Sequence, residues 1–87
     1  MMKSMKLCVR LFARARDIAG RDVIDVDVGE PITVSNLRRR LAAQYPALAA
    51  LLERSALAID KEFAEDDRIV SDGAEVALLP PVSGGSI

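Results

Sequence analysis

From Met5 to Phe12 the chain alternates between two kinds of residue. Met5, Leu7, Val9 and Leu11 share one face; Lys6, Cys8, Arg10 and Phe12 share the other. A period of two predicts an opening strand. The stretch "ARARDIAG" reads as a short helical turn stopped by Gly20. In "DVIDVDVG" the alternation returns, with Ile24, Val26 and Val28 facing inward and Asp25 and Asp27 outward. Gly29, Glu30 and Pro31 are expected to break this second strand, and the short connection between the two strands suggests a hairpin. Thr33 is a suitable N-cap. Val34, Leu37, Leu41 and Tyr45 then recur at helical spacing, while Arg38, Arg39 and Arg40 miss that stripe and are expected in solvent. Pro46 ends the helix, and Leu48, Leu51 and Leu52 suggest a further short one ending near Ser55.

The remaining third is more broken. "ALAID" predicts a short strand. "KEFAEDDRIV" reads as an acidic turn region with Phe63, Ile69 and Val70 as apolar anchors. Asp72-Gly73 is a turn dipeptide leading into a last strand from Glu75 to Leu79. Strand, strand, helix, strand, turns, strand is the order of an α+β fold of the β-grasp (ubiquitin-like) type, one main helix packed across a small mixed sheet. A ferredoxin-like domain needs two comparable helices and fits less well. The expected organisation is a β-grasp domain over residues 1–79 and an extended tail over residues 80–87.

Composition limits what such a domain can do. The chain has 87 residues, of which 51% are hydrophobic, with a net charge of -1. This is a globular composition that does not point to nucleic acid. No apolar run reaches the length of a membrane span, and the charged, alternating N-terminus does not read as a signal peptide. Charge is uneven: residues 1–54 carry ten Lys/Arg and six Asp/Glu, whereas residues 55–87 carry two and seven. An acidic C-terminal third can be a solvated face, or it can steer the chain towards a basic partner.

Catalytic groups are scarce. Histidine is absent and Cys8 is the single cysteine, so an internal disulfide and a multi-cysteine metal site are excluded. One unpaired cysteine fits a reducing, cytoplasmic setting. Cys8 is expected to be a buried or half-buried small hydrophobe rather than a nucleophile. Glu65, Asp66 and Asp67 lack the spaced ligands of a calcium loop and read as a solvated turn.

The ending "ALLPPVSGGSI" is different in kind. Pro80-Pro81 forces an extended rise off the sheet, because each ring holds φ. Val82, Ser83, Gly84 and Gly85 follow, and the two glycines carry no side chain. A stiff stalk with a thin end can thread a channel too narrow for any Cβ. Its one reactive group would be a terminal carboxylate. The strand phases add a second clue: Ala77 and Leu79 face away from Val76 and Leu78, and Phe12 faces away from Leu11. First and last strands are neighbours in a β-grasp sheet, so Phe12 and Leu79 either form an outward apolar patch beside the tail root or pack under loops.

Three stretches, "LFARARDIAG", "TVSNLRRRLAAQYP" and "DGAEVALLPPVSGG", together resemble the small, sulfur-carrier subunit of molybdopterin synthase over residues 5–85. The resemblance implies that Gly85 is adenylated by an ATP-dependent, E1-like adenylating enzyme and converted to a thiocarboxylate, with Gly84 beside it. The chain itself would bind no cofactor. Sulfur would pass to a pyranopterin precursor in the large catalytic subunit, within a heterotetramer, during molybdenum cofactor biosynthesis. Phe12, Phe63 and Leu79 would form the docking surface. The chain departs from that pattern by continuing through Ser86-Ile87, which hold the Gly85 carbonyl as an amide. Trimming after Gly85, residues added by cloning, and loss of sulfur transfer are the readings; the intact stalk and glycines favour trimming or an unusual active form over loss. The alternatives are a ubiquitin-like modifier, a carrier of the thiamine-pathway type, and a β-grasp interaction module without tail chemistry.

Overall fold

The structure, a computed structural model, describes residues 3–81. The opening alternation forms β1, Lys3–Leu11, which pairs antiparallel with β2, Val23–Glu30. Between them lies α1, Ala13–Ala19, closed by Gly20 at φ 73 with its N–H on the Arg16 carbonyl. The connection is the short helix that its sequence suggested, and the two strands pair as the expected hairpin. Phe12 is not the last residue of the strand: its carbonyl accepts from Ala15 N–H, and it opens α1. Gly29 and Glu30 do not break β2, because β1 begins earlier than its alternation suggested and supplies Ser4 and Lys3 as their partners.

The main helix, α2, spans Val34–Gln44, and the Thr33 side chain accepts from Asn36 N–H at 3.2 Å, as its N-cap position requires. Val34, Leu37 and Leu41 are buried and Tyr45 is half-buried. A 3₁₀ turn, Pro46–Leu48, and α3, Ala49–Leu52, bring Leu48 and Leu52 under the helix. The chain then enters β4, Ala56–Ile59, turns into β5, Glu62–Ala64, and ends the sheet with β7, Val76–Leu79. The five-stranded order is β2-β1-β7-β4-β5, with β1 and β7 parallel at the centre. A helix packed across this mixed sheet is the β-grasp architecture.

Three strands were illegible in the sequence: β5 lies in the stretch expected to be an acidic turn region, and the other two form a separate pair. Ile32–Thr33 is a two-residue strand, β3, paired with Ile69–Val70, β6. Strands of that length show no period. Their pairing draws the acidic loop over the start of α2, where the carbonyls of Arg68 and Asp66 accept from Val34 and Ser35 N–H at 2.9 and 3.0 Å. Glu65, Asp66 and Asp67 are exposed, as expected, but the Asp66 carbonyl, with that of Arg68, caps a helix whose first amides need acceptors. Of the three expected anchors only Val70 is buried; Ile69 and Phe63 are 53% and 76% exposed.

Arg38 also departs from expectation. Its side chain is half-buried, with Nη1 donating to the carbonyls of Leu52 and Ser55, the latter at 2.7 Å, and Nη2 lying 3.6 Å from Asp66. The guanidinium satisfies carbonyls at the end of α3 and ties α2 to the strand that follows. Arg39 and Arg40 are exposed.

The core lies between α2 and the inner face of the sheet. Leu11, Leu78 and Leu57 sit side by side across β1, β7 and β4, all at most 2% exposed. Leu78→Ala should therefore destabilise the domain by about 2–5 kcal/mol in chemical denaturation; an unchanged midpoint would show that this position is not core.

Candidate functional site: an apolar face at the tail root

The register that buries Leu78 turns its neighbours to the outer face of the sheet. Arg10 lies opposite Ala77, Ala77 opposite Ala58, and Ala58 opposite Phe63, in one row across four strands. The two alanines are short and leave a floor; the larger side chains stand around it. The result is a depression of about 300 Å³ lined by Arg10, Phe12, Ala58, Lys61, Phe63, Glu75, Ala77 and Leu79. Phe12, Phe63 and Leu79, separated by up to 67 positions in sequence, thus share one hollow. Phe12 and Leu79 do not pack under loops: Phe12 is 40% exposed and Leu79 half-buried. An exposed apolar cluster with a polar rim is the signature of a recognition surface.

The rim is ordered by charge. Arg10 Nη1 lies 3.5 Å from Glu75 Oε2, and its guanidinium sits 5.8 Å from the centre of the Phe12 ring. Glu75 is bracketed by Asp60, whose N–H donates to the Glu75 carbonyl at 2.8 Å and whose Oδ1 accepts from Glu75 N–H at 3.0 Å. β7 starts at Val76 rather than Glu75 because the hairpin tip takes up both backbone groups of Glu75. From this wall Leu79 leads directly into Pro80, half-buried, and Pro81, exposed. Val82, Ser83, Gly84 and Gly85 lie outside the described residues.

A larger hollow of about 480 Å³ lies between the end of β2 and α2, with Val28, Ile32, Asn36 and Arg39 in its wall. It gathers no nucleophile and base. Cys8 is not in the core: the alternation puts it on the Lys6/Arg10 face, and it is exposed. Its Sγ donates to Asp25 Oδ1 at 3.3 Å. That hydrogen bond and the carboxylate's charge favour the protonated thiol and raise its pKa above the ordinary value. A thiol held in this form is a poor nucleophile. Among the described residues, then, the geometry offers recognition rather than catalysis.

A family model described as the ThiS family matches residues 9–85. The chain belongs to the ThiS family. It is similar to a molybdopterin synthase sulfur carrier subunit from Escherichia coli (strain K12), 39% identical over 79 residues, which cover 88% of this chain and 96% of that one. The crystal structure of SAMP1 from Haloferax volcanii superposes with a TM-score of 0.78 at 31% identity, over 95% of this chain and all of that one. A complex of subunits 1 and 2 of molybdopterin-converting factor from Helicobacter pylori shares the fold, with a TM-score of 0.66 at 24% identity, over 93% of this chain and 100% of that one. This ThiS-family chain is matched from β1 through the two glycines, so the match spans Phe12, Phe63 and Leu79 as well as the tail.

Strand phase pointed to Phe12 and Leu79, and the family resemblance added Phe63, which the pattern alone read as an anchor; the floor and the rim were missed. Outward alanines on two strands were the available signal for a hollow. Lys61, Glu75 and Arg10 had none, since their meeting depends on strand order.

The Cys8 geometry has a measurable consequence. Alkylation at pH 8 should be slower than for a thiol in a short peptide, and the rate should keep rising at higher pH because the raised pKa delays thiolate formation. Asp25→Asn should accelerate it at pH 8. Equal rates for the two proteins would show that Asp25 does not hold the proton.

Proposed function

We propose that this chain is the sulfur-carrier subunit of a molybdopterin synthase, acting through Gly85. The observation that carries the proposal is the placing of Phe12, Phe63 and Leu79 in one exposed hollow from whose wall Pro80-Pro81 departs. The similarity to the Escherichia coli sulfur carrier subunit supports it. The domain docks its apolar face on the large catalytic subunit, in a heterotetramer, and the proline stalk directs the tail towards that subunit's active site. Glycines suit a narrow channel because they add no Cβ.

The chemistry follows from the poor electrophilicity of a carboxylate. Hydrolysis of the Gly85–Ser86 bond first releases Ser86-Ile87 and frees the Gly85 carboxylate. An E1-like adenylating enzyme then joins that carboxylate to the α-phosphorus of ATP, releasing pyrophosphate. Sulfide from a donor attacks the acyl carbon, AMP leaves, and a thiocarboxylate remains. Its sulfur passes to a pyranopterin precursor in the large subunit, the acyl carbon–sulfur bond breaks, and water restores the Gly85 carboxylate. ATP belongs to the activating enzyme, and this chain binds no cofactor of its own. The setting is the cytoplasm, without nucleic acid or membrane.

A second reading, attachment to other proteins through Gly85, is favoured by the likeness to SAMP1, which a published structure describes as a small archaeal modifier protein. The intact mass of the chain isolated from its own cells tests both. A mass ending at Gly85, with one oxygen replaced by sulfur in the active fraction, is the expected result. A mass ending at Ile87 in every molecule would overturn sulfur transfer at Gly85, and Gly85 found in isopeptide bonds to lysine would favour the modifier reading. Separately, Phe63→Ala should leave the melting temperature nearly unchanged, since the ring is 76% exposed. The same variant should weaken binding to the large subunit about tenfold or more, the loss expected of an aromatic anchor. Undiminished binding would remove Phe63 from the interface.

A further inference from the structure

Three non-glycine residues among those described have left-handed backbone: Ala13, Asp60 and Lys61, at φ 51, 51 and 72. All three adjoin the apolar hollow. Ala13 follows Phe12 directly, and Asp60-Lys61 form the tip of the β4–β5 hairpin, next to Phe63 on one side and tied to Glu75 on the other. Such conformations are disfavoured for L-residues, and a two-residue turn with both φ positive is ordinarily built from Asn and Gly. Strain of this kind gathers where a surface has a task.

Asp60 has a local reason to tolerate the turn, since it holds Glu75 through two hydrogen bonds. Lys61 has none. Its side chain makes no hydrogen bond and no ion pair among the described residues. Glycine would satisfy the same backbone more easily. Yet the tip that presents Lys61 is fixed to the frame of the docking face: Asp60 grips Glu75, Glu75 meets Arg10, and Arg10 lies over Phe12. Arg10 is already matched by Glu75, whereas Lys61 is a rim cation without an ion-pair partner among the described residues, beside a hollow that takes an apolar group.

We propose that Lys61 is a specificity-determining residue of the docking face, recognising a carboxylate that the large subunit presents next to the apolar side chain filling the hollow. This rests on the docking reading above. A cation on the rim of an apolar contact selects its partner by charge and speeds encounter, while the buried apolar residues hold the complex.

The test compares the full chain, Lys61→Gly and Lys61→Glu, each titrated with the purified large subunit at low and at high salt, alongside thermal melts. Lys61→Gly should melt at or above the wild-type temperature, because glycine relieves the left-handed backbone. It should also bind about five- to tenfold more weakly at low salt, with the difference shrinking at high salt. Lys61→Glu should bind more weakly still. Wild-type affinity in Lys61→Gly at low salt, or a loss that salt does not reduce, would overturn the role of Lys61 and leave the docking reading standing. A lower melting temperature for Lys61→Gly would overturn the strain on which the inference stands. Failure of the wild-type chain itself to bind the large subunit would overturn the docking reading, and the role of Lys61 with it.

Discussion

Leu11 lies beside Leu78 across the parallel pair of β1 and β7, and Leu78 lies beside Leu57 across the antiparallel pair of β7 and β4. Because successive side chains of a strand point to opposite faces, this register also sends Arg10, Ala77 and Ala58 outward together. A slip of one residue would bury Arg10 and expose Leu78, so the core enforces the alignment of the outer face. The hollow at the tail root is therefore not an independent feature. It is the reverse side of the best-buried part of the sheet, and the chain leaves the sheet at its wall.

Around this sheet the polar groups do mostly structural work. The acidic third of the chain, which in the sequence reads as a solvated face or a steering surface, meets basic residues of its own molecule: Asp66 meets Arg38, Glu62 meets Arg68, and Glu75 meets Arg10. The two outer pairs are exposed and contribute little to stability. The Arg38 contacts differ, because the same guanidinium satisfies two carbonyls behind α3. Capping of α2 by the carbonyls of Asp66 and Arg68 has a similar character, with the loop held there by the short β3–β6 pair.

In the proposed function, the apolar hollow and the scarcity of catalytic side chains among the described residues belong to one design. A carrier that is activated by one enzyme and discharged in another needs a surface recognised by both, and a reactive end that contributes no side-chain chemistry. A protonated, hydrogen-bonded Cys8 fits that requirement, because its thiol is a weak nucleophile. The ThiS-family match extends over both glycines of the tail.

By itself the sequence determined the inner faces of the long strands and of α2, the Thr33 cap, the Gly20 stop and the outward phase of Leu79. Each follows from a period or a local hydrogen bond that neighbouring residues specify. It also held the tail motif, whose meaning lies in residue order. Tertiary structure alone decided that Phe12 ends outside β1, that Arg38 turns inward to the carbonyls of Leu52 and Ser55, and that Ile32–Thr33 finds Ile69–Val70. It alone brought Lys61, Glu75 and Arg10 to one rim. Those outcomes depend on which distant strands lie side by side, and that is settled by packing the whole core at once rather than by any local pattern.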